Sequence, residues 1–417
     1  MSRFRDLFKR VGPGIITGAA DDDPSGIATY SQAGAHVGFG LLWTVVLTWP
    51  LMVAVQSVSA RIGRVTGRGL AANMLKVFPR PVVLILVALL FFANTINIGA
   101  DLAAMGAASK LLVGGGQNLF TVVFALVSLI AIVFVPYSRY VGYLKWLTLS
   151  LLAYVGIVFT VHIDWAKVAA GAFVPRFALS GESLVLVVAV FGTTISPYLF
   201  FWQGSQEVEE EEDDPQAAPL LKKPEQAKFE LARIGWETWL GMGLSNLVAF
   251  FIMLTTAVTL HANGQTDIQT SEQAAAALKP IAGDFAFLLF SLGIIGTGLI
   301  AVPVLAASAA IAVGELRGWK TSLELRPKEA KEFYTTIAVA ILLGIGVVLS
   351  PLDPIKALLW SAVVNGVITV PIMVAVMIVA SRREQMGQFT ATLYQRVFGW
   401  GATAVMTAAA VAMFVLM

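Results

Sequence analysis

The sequence contains no cysteine and few charged residues: Asp, Glu, Lys and Arg make up 13% of its 417 residues, whereas soluble proteins have about 25%. The absence of cysteine excludes disulfides, thiolate metal sites and iron–sulfur clusters. A formal net charge of +2 without a basic patch argues against a nucleic-acid partner. The remaining composition, 57% hydrophobic, predicts a protein of the lipid bilayer.

Catalytic motifs are also missing. The sequence has no metalloprotease, serine-hydrolase or phosphate-binding signature. Its three histidines, His36, His162 and His261, fall at predicted outer membrane edges, so none is expected as a base or ligand at the membrane midplane. We therefore predict that the chain is not an enzyme and that it needs no cofactor and no obligatory protein partner.

Apolar runs long enough to cross a hydrocarbon core of about 30 Å predict eleven membrane spans. They lie at about 12–35, 41–60, 82–110, 119–137, 144–163, 184–203, 231–260, 284–314, 335–349, 356–380 and 398–416.

The basic residues predict how these spans are oriented. If the amino terminus is cytoplasmic, all but five of the 28 Lys and Arg residues lie on the cytoplasmic side. The exceptions are Lys110, Lys167, Arg176, Lys279 and Lys356. The positive-inside rule therefore predicts a multi-pass protein of the cell (inner) membrane, with a cytoplasmic amino-terminal tail and the carboxyl terminus outside.

Two of the predicted spans carry signals for an interrupted helix. The first contains Asp23-Pro24 and the sixth contains Ser196-Pro197, each among small residues. Proline removes an amide donor and disrupts the preceding turn. Breaks in spans one and six occupy corresponding positions in two inverted repeats of five helices, and such breaks are typical of a substrate site at the membrane midplane. Two unrelated proline kinks are the alternative.

We accordingly predict an all-α polytopic fold with a single transport domain over residues 1–417. Repeat one covers about 12–163, repeat two about 184–380, and an extra helix about 398–416. The acidic run at 207–214 follows the sixth span. We interpret this run as a solvated cytoplasmic loop, with a cation-attracting vestibule as the alternative.

Ionisable residues inside the predicted spans are candidates for function, because burying a charge is costly. Asp23, directly before Pro24, is the first choice as a cation ligand, together with backbone carbonyls freed by the break. Asp21 and Asp22 are expected to line the approach or to cap a half-helix. For Asp101 three roles stay open: a second cation stop, a proton carrier, or a carboxylate bonded to a neighbouring backbone.

Neutral oxygen donors in the spans are candidates to complete a hydration shell, although such residues also join helices to each other. They are Asn94, Asn97, Asn246, Ser361, Asn365 and Thr369.

Several short motifs resemble those of the Nramp divalent-metal transporters. The similarity runs through spans one to ten: Gly12-Pro13-Gly14, Asp23-Pro24-Ser25-Gly26-Ile27, Gln32-Ala33-Gly34-Ala35, Arg61-Ile62-Gly63, Ala100-Asp101-Leu102-Ala103 and the segment from Gly192 to Pro197. This resemblance implies the LeuT-type fold, with two inverted five-helix repeats, helices 1 and 6 broken at the midplane, and an eleventh helix.

The resemblance also implies a metal site. The Asp23 carboxylate and the carbonyls of Ala20 and Thr193 match family ligands. Gly26 stands where the family has an asparagine ligand, and Ser196 stands where it has a methionine ligand. Tyr198, like Asn365 and Thr369, is a weaker candidate for contacting water bound to the ion.

Other departures concern proton transfer. Tyr198 and Gln203 replace two family histidines, and Ala104 replaces an acid. These changes remove most groups able to carry a coupled proton at physiological pH.

Together these departures predict which ion is carried. Without a thioether the site offers oxygen alone, which suits hard cations. The small Gly26 and Ser196 are expected to leave room for water, which Mg²⁺ sheds reluctantly. The pattern is similar to the Nramp-related magnesium transporter branch, which implies import of partly hydrated Mg²⁺, and also Mn²⁺, by alternating access without proton coupling. The alternatives are a proton-coupled Mn²⁺/Fe²⁺ importer, an organic-substrate symporter and a Mg²⁺ channel.

Overall fold

The computed structural model describes residues 12–135, 149–176, 180–348 and 353–417, and every regular element in these residues is a helix. The α-helices are α1 (Pro13–Asp21), α2 (Pro24–Val37), α3 (Leu42–Thr66), α4 (Leu70–Val77), α5 (Arg80–Val113), α6 (Gln117–Phe134), α7 (Ile157–Thr160), α8 (Trp165–Phe173), α9 (Gly181–Thr194), α10 (Pro197–Asp213), α11 (Ala227–Thr259), α12 (Ser271–Ala276), α13 (Lys279–Ala282), α14 (Ala286–Arg317), α15 (Lys331–Val348), α16 (Pro354–Ser381), α17 (Arg383–Met386) and α18 (Leu393–Leu416). Short 3₁₀ segments join some of them, the longest at Leu149–Gly156.

Eight helical stretches of the described residues are long and apolar enough to cross a membrane. One of them, Pro24–Thr66, contains both α2 and α3 and so covers parts of two predicted spans. The predicted span at 144–163 begins outside the described residues, and those at 119–137 and 335–349 end outside them. The chain is thus an all-helical, multi-span membrane protein, while the number eleven and the orientation stay predictions.

The first and sixth predicted spans are both interrupted. Helix α1 ends at Asp21 and α2 begins at Pro24, while α9 ends at Thr194 and α10 begins at Pro197. Each proline opens its helix, where the amide it lacks would have no helical partner. Helices α1 and α2 both pack on α11, and α9 packs on α16. At the two interruptions Asp23, Ile195 and Ser196 are buried, so the breaks lie inside the packed protein.

The acidic run corrects one prediction. Residues 207–213 are not a solvated loop but the continuation of α10, and Glu207 and Glu211 are buried. Their carboxylates lie near two arginines of other helices: Glu207 pairs with Arg233 at 2.6 Å, and Glu211 lies 3.8 Å from Arg64. The opposite charges of the two arginines compensate the cost of this burial. Hydropathy takes no account of such a partner and therefore assigns these glutamates to water.

Helix α1 lies against α11 at backbone contact. A methyl group added to Gly18 would overlap the backbone of Gly241, and one added to Gly241 would overlap the carbonyl of Gly14. Only glycine permits this separation of the two helices.

We therefore expect Gly18→Ala to lower the free energy of unfolding by about 1–3 kcal/mol, because overpacking forces the helices apart. Thermal unfolding of the purified protein in detergent measures this change. Gly235→Ala is the matched control: it lies on α11, where an added methyl meets nothing within 4 Å, so its stability should be unchanged or slightly raised. A Gly18→Ala protein as stable as the wild type would contradict the prediction.

Candidate metal site

Asp23 lies between the two halves of the first broken span and caps α2. Its Oδ1 accepts hydrogen bonds from the amide of Gly26 (2.7 Å) and from the hydroxyl of Ser25 (2.8 Å). The side chain is buried, with 2% exposure. None of the ion pairs among the described residues includes it. A buried carboxylate bonded to neutral donors alone leaves its charge free to attract a cation.

A second helix fixes the other oxygen of this carboxylate. The Asn97 Nδ2 of α5 donates to Asp23 Oδ2 at 2.9 Å. Ser361 of α16 donates in turn to Asn97 Oδ1 at 2.7 Å, so the amide group of Asn97 is turned toward Asp23. Sequence reasoning lists Asn97 and Ser361 as neutral oxygen donors but misses this chain of bonds, since no local pattern pairs α2 with α5.

The two predicted carbonyl ligands both lie at the helix breaks. The Ala20 carbonyl accepts a hydrogen bond from the Tyr198 hydroxyl at 3.0 Å, and the Thr193 carbonyl accepts one from Ser196 at 2.9 Å. A carbonyl oxygen has two lone pairs. Each of these two therefore retains one acceptor position for an ion or a water molecule.

Ser196, predicted in place of a thioether ligand, turns back onto its own chain. Its hydroxyl lies 2.7 Å from the Gly192 carbonyl as well as 2.9 Å from that of Thr193. With one hydrogen engaged in this way, its oxygen can still accept from water or bind a cation. The Ser196 oxygen is therefore available to a bound cation or water, whereas its hydrogen is already engaged.

The expectation that Gly26 leaves open space is wrong for this conformation. A Cβ at Gly26 would lie 3.2 Å from Thr193 Oγ1 and 3.3 Å from the Tyr30 ring. The Ser25 and Thr193 hydroxyls are 3.4 Å apart, so the two broken spans meet directly. Packing between the spans fills the volume that a larger side chain at Gly26 would occupy.

Asn365 has an unusual environment for an amide. It is fully buried on α16, and neither polar atom of its side chain has a hydrogen-bond partner. The Thr369 hydroxyl on the same helix lies 2.6 Å from the backbone carbonyl oxygen of Asn365 and 3.2 Å from the backbone carbonyl oxygen of Ile195, beside the second break. Buried amides are normally satisfied, so Asn365 is suited to contact a bound water or ion.

Asp101 lies one helical turn after Asn97 on α5. It is fully buried, neither carboxylate oxygen has a hydrogen-bond partner, and the group interacts electrostatically with Asp23. The predicted role as a carboxylate bonded to a neighbouring backbone is therefore wrong. Two predicted roles of Asp101 are still open: a second binding position for the cation and a proton carrier.

Asp22 lies on the other side of the first break. Together with Asp21 it accepts a hydrogen bond from Ser245 of α11. In the part of the chain that the structure describes, no three His, Cys, Asp or Glu side chains are grouped to hold one ion. A cation at Asp23 would rely on one carboxylate, carbonyls, hydroxyls and water, which is the chemistry of a hard ion.

Comparisons with known proteins identify the family of this chain and its fold. The family model described as natural resistance-associated macrophage protein-like (Nramp) matches residues 14–416. Among the similar proteins are several named divalent metal cation transporter MntH. One from Klebsiella pneumoniae is 26% identical, over 94% of this chain and 90% of its own. One from Yersinia pestis is 28% identical, over 93% and 90%.

Solved structures show the same fold. The Eremococcus coleocola manganese transporter superimposes with a TM-score of 0.76 at 17% identity, covering 98% of this chain and 87% of that one. Mhp1, a nucleobase-cation-symport-1 family transporter, gives 0.58 at 15% identity, over 98% and 93%. Because the family model spans nearly the whole sequence, the chain belongs to the Nramp family, a family of transporters, and is not an enzyme.

Proposed function

We propose that this chain imports Mg²⁺ and Mn²⁺ into the cytoplasm by alternating access, with the partly hydrated ion held at Asp23, and that it belongs to the magnesium-transporting branch of the family. The observation that carries the proposal is the Asp23 carboxylate, buried at a helix break and bonded to neutral donors alone.

The choice of hard ions rests on the ligand atoms around Asp23. The carbonyls of Ala20 and Thr193 and the hydroxyl of Ser196 offer oxygen, and the position that the family resemblance assigns to a thioether is Ser196. Oxygen ligands suit Mg²⁺, Ca²⁺ and Mn²⁺. Mg²⁺ usually keeps several waters and touches one or two carboxylates, which matches a site with a single acid.

Manganese has the more direct support from relatives. The K. pneumoniae and Y. pestis proteins are named divalent metal cation transporters, and the E. coleocola protein is named a manganese transporter. Magnesium is supported by the ligand chemistry of this chain. Both ions therefore belong in the same assay.

Proton-coupled Mn²⁺ or Fe²⁺ import is the second candidate function. Asp101 favours it, because this buried carboxylate has no hydrogen-bond partner and interacts with Asp23. Against it stands the membrane potential, which suffices without a proton. A divalent ion crossing 100 mV gains about 4.6 kcal/mol, or roughly a thousandfold accumulation.

The deciding experiment is metal uptake into proteoliposomes loaded with dyes for Mg²⁺, Mn²⁺ and Ca²⁺, run in parallel with an internal pH indicator. We expect saturable uptake of Mg²⁺ and Mn²⁺ with internal pH unchanged. Protein-free liposomes serve as the control and measure the passive leak of ions. Mn²⁺ uptake with internal acidification and without Mg²⁺ uptake would establish the second candidate, and single-channel currents would establish a channel instead of a carrier.

A further inference from the structure

We propose that Asp21, Asp22 and Ser245 form a second cation subsite, separate from Asp23, which holds a hydrated divalent cation next to the transport site. This subsite deepens the proposed function and rests on it for the identity of the ion. The geometry of the subsite does not depend on the proposed function.

One hydroxyl brings the two carboxylates together. Asp21 is the last residue of α1, and Asp22 follows it. The Ser245 Oγ of α11 lies 2.5 Å from Asp21 Oδ2 and 3.0 Å from Asp22 Oδ1. A serine hydroxyl has a single hydrogen to donate. It cannot compensate two negative charges held at the same place.

Burial makes this lack of compensation costly. Asp21 is 1% exposed, and its Oδ1 is buried without a hydrogen-bond partner. Neither Asp21 nor Asp22 takes part in any ion pair within the described ranges. Asp22 is only partly buried. A cation bound to the pair would supply the missing positive charge.

The helix end adds to this attraction. Asp21 is at the carboxyl end of α1, a helix of 9 residues. Helix carboxyl ends carry a partial negative charge and stabilise cations. Two carboxylates, one hydroxyl and this dipole favour an ion that keeps most of its water shell, as Mg²⁺ does.

Asp23 does not share this subsite. Its Oδ1 lies with Ser25 and Gly26 at the start of α2 and its Oδ2 with Asn97 of α5, whereas Ser245 of α11 bonds to Asp21 and Asp22. The three consecutive aspartates do not form a group arranged around one ion. The break therefore separates a pair of carboxylates on the α1 side from a single carboxylate on the α2 side.

Mn²⁺ binding to the full-length protein in detergent tests the subsite, with free Mn²⁺ measured by its electron paramagnetic resonance signal. We expect two Mn²⁺ per wild-type chain and one in the double variant Asp21→Asn/Asp22→Asn. Asp23→Ala should also bind one, and the triple variant none. The single variant Asp21→Asn should weaken one of the two sites at least tenfold.

The matched control removes two exposed carboxylates elsewhere, by Asp164→Asn and Asp284→Asn, and should still bind two Mn²⁺. A wild-type chain that binds one Mn²⁺, lost in Asp23→Ala, would overturn the subsite and mean that Asp21 and Asp22 share a proton instead. An Asp21→Asn/Asp22→Asn protein that binds as the wild type does would overturn it too. The proposed function fails by a different result, which is Asp23→Ala transporting normally.

Discussion

Asp23→Ala is expected to reduce Mg²⁺ and Mn²⁺ uptake into proteoliposomes roughly 100-fold. The variant removes the buried carboxylate between α1 and α2, leaving carbonyls and hydroxyls that carry no net charge. A direct contact with a charged group contributes about 3 kcal/mol, and 1.36 kcal/mol corresponds to a factor of ten. Initial uptake rates at sub-saturating ion concentration measure the effect.

Two further variants separate the charge of Asp23 from the positioning of its side chain. Asp23→Asn retains the size of the side chain and loses its charge, so it should be nearly as inactive as Asp23→Ala. Asn97→Ala retains the charge and removes the donor to Oδ2, so its loss should be smaller, on the order of tenfold. Uptake by Asp23→Asn within twofold of the wild type would refute the assignment of Asp23 as the anchor.

Arg233→Met is expected to lower the stability of the protein by about 3–5 kcal/mol, the usual cost of leaving a buried charge without its partner. The guanidinium group of Arg233 contacts four carboxylates from α10 and α11. They belong to Glu207 (2.6 Å), Glu210 (3.0 Å), Glu230 (3.1 Å) and Glu237 (3.0 Å). Without Arg233, Glu207 would be fully buried among like charges.

Thermal unfolding in detergent measures this loss, and a double variant tests its cause. Adding Glu207→Gln to Arg233→Met removes the stranded charge and should restore part of the stability. Lys228→Met, which removes an exposed basic residue of the same helix, should change stability by less than about 0.5 kcal/mol. If the double variant is no more stable than Arg233→Met, charge burial is not the cause.

The features predicted from sequence at the site are those encoded locally. Pro24 and Pro197 each follow a residue type favoured at helix caps, Asp23 and Ser196, and this local pattern predicts the two interruptions. Pro50, Pro303 and Pro371 follow Trp or Val and lie inside continuous helices. Asp23 is likewise predicted locally, since an aspartate before a helix-opening proline is a natural cap. Its Oδ1 bonds to Gly26 and Ser25 are bonds within one turn.

Contacts between distant helices could not be predicted in this way. Asn97 is 74 residues from Asp23, and Ser361 is a further 264 residues from Asn97. The burial of Glu207 depends on Arg233, 26 residues later on another helix. A hydropathy scale scores each residue by itself, so it contains no information on such a partner. The repeat boundaries at 12–163 and 184–380, the orientation and the metal ligands are likewise still predictions.

Gln32 links α2 to the segment after α11. Its Nε2 donates to Asp267 Oδ1 at 3.1 Å, and its Oε1 accepts from the Ile268 amide at 2.9 Å. This two-point tether means that a tilt of α2 either pulls the 265–269 segment along or breaks both bonds, at a cost of about 1–3 kcal/mol. While both bonds persist, α2 moves together with a loop more than 200 residues away in the sequence.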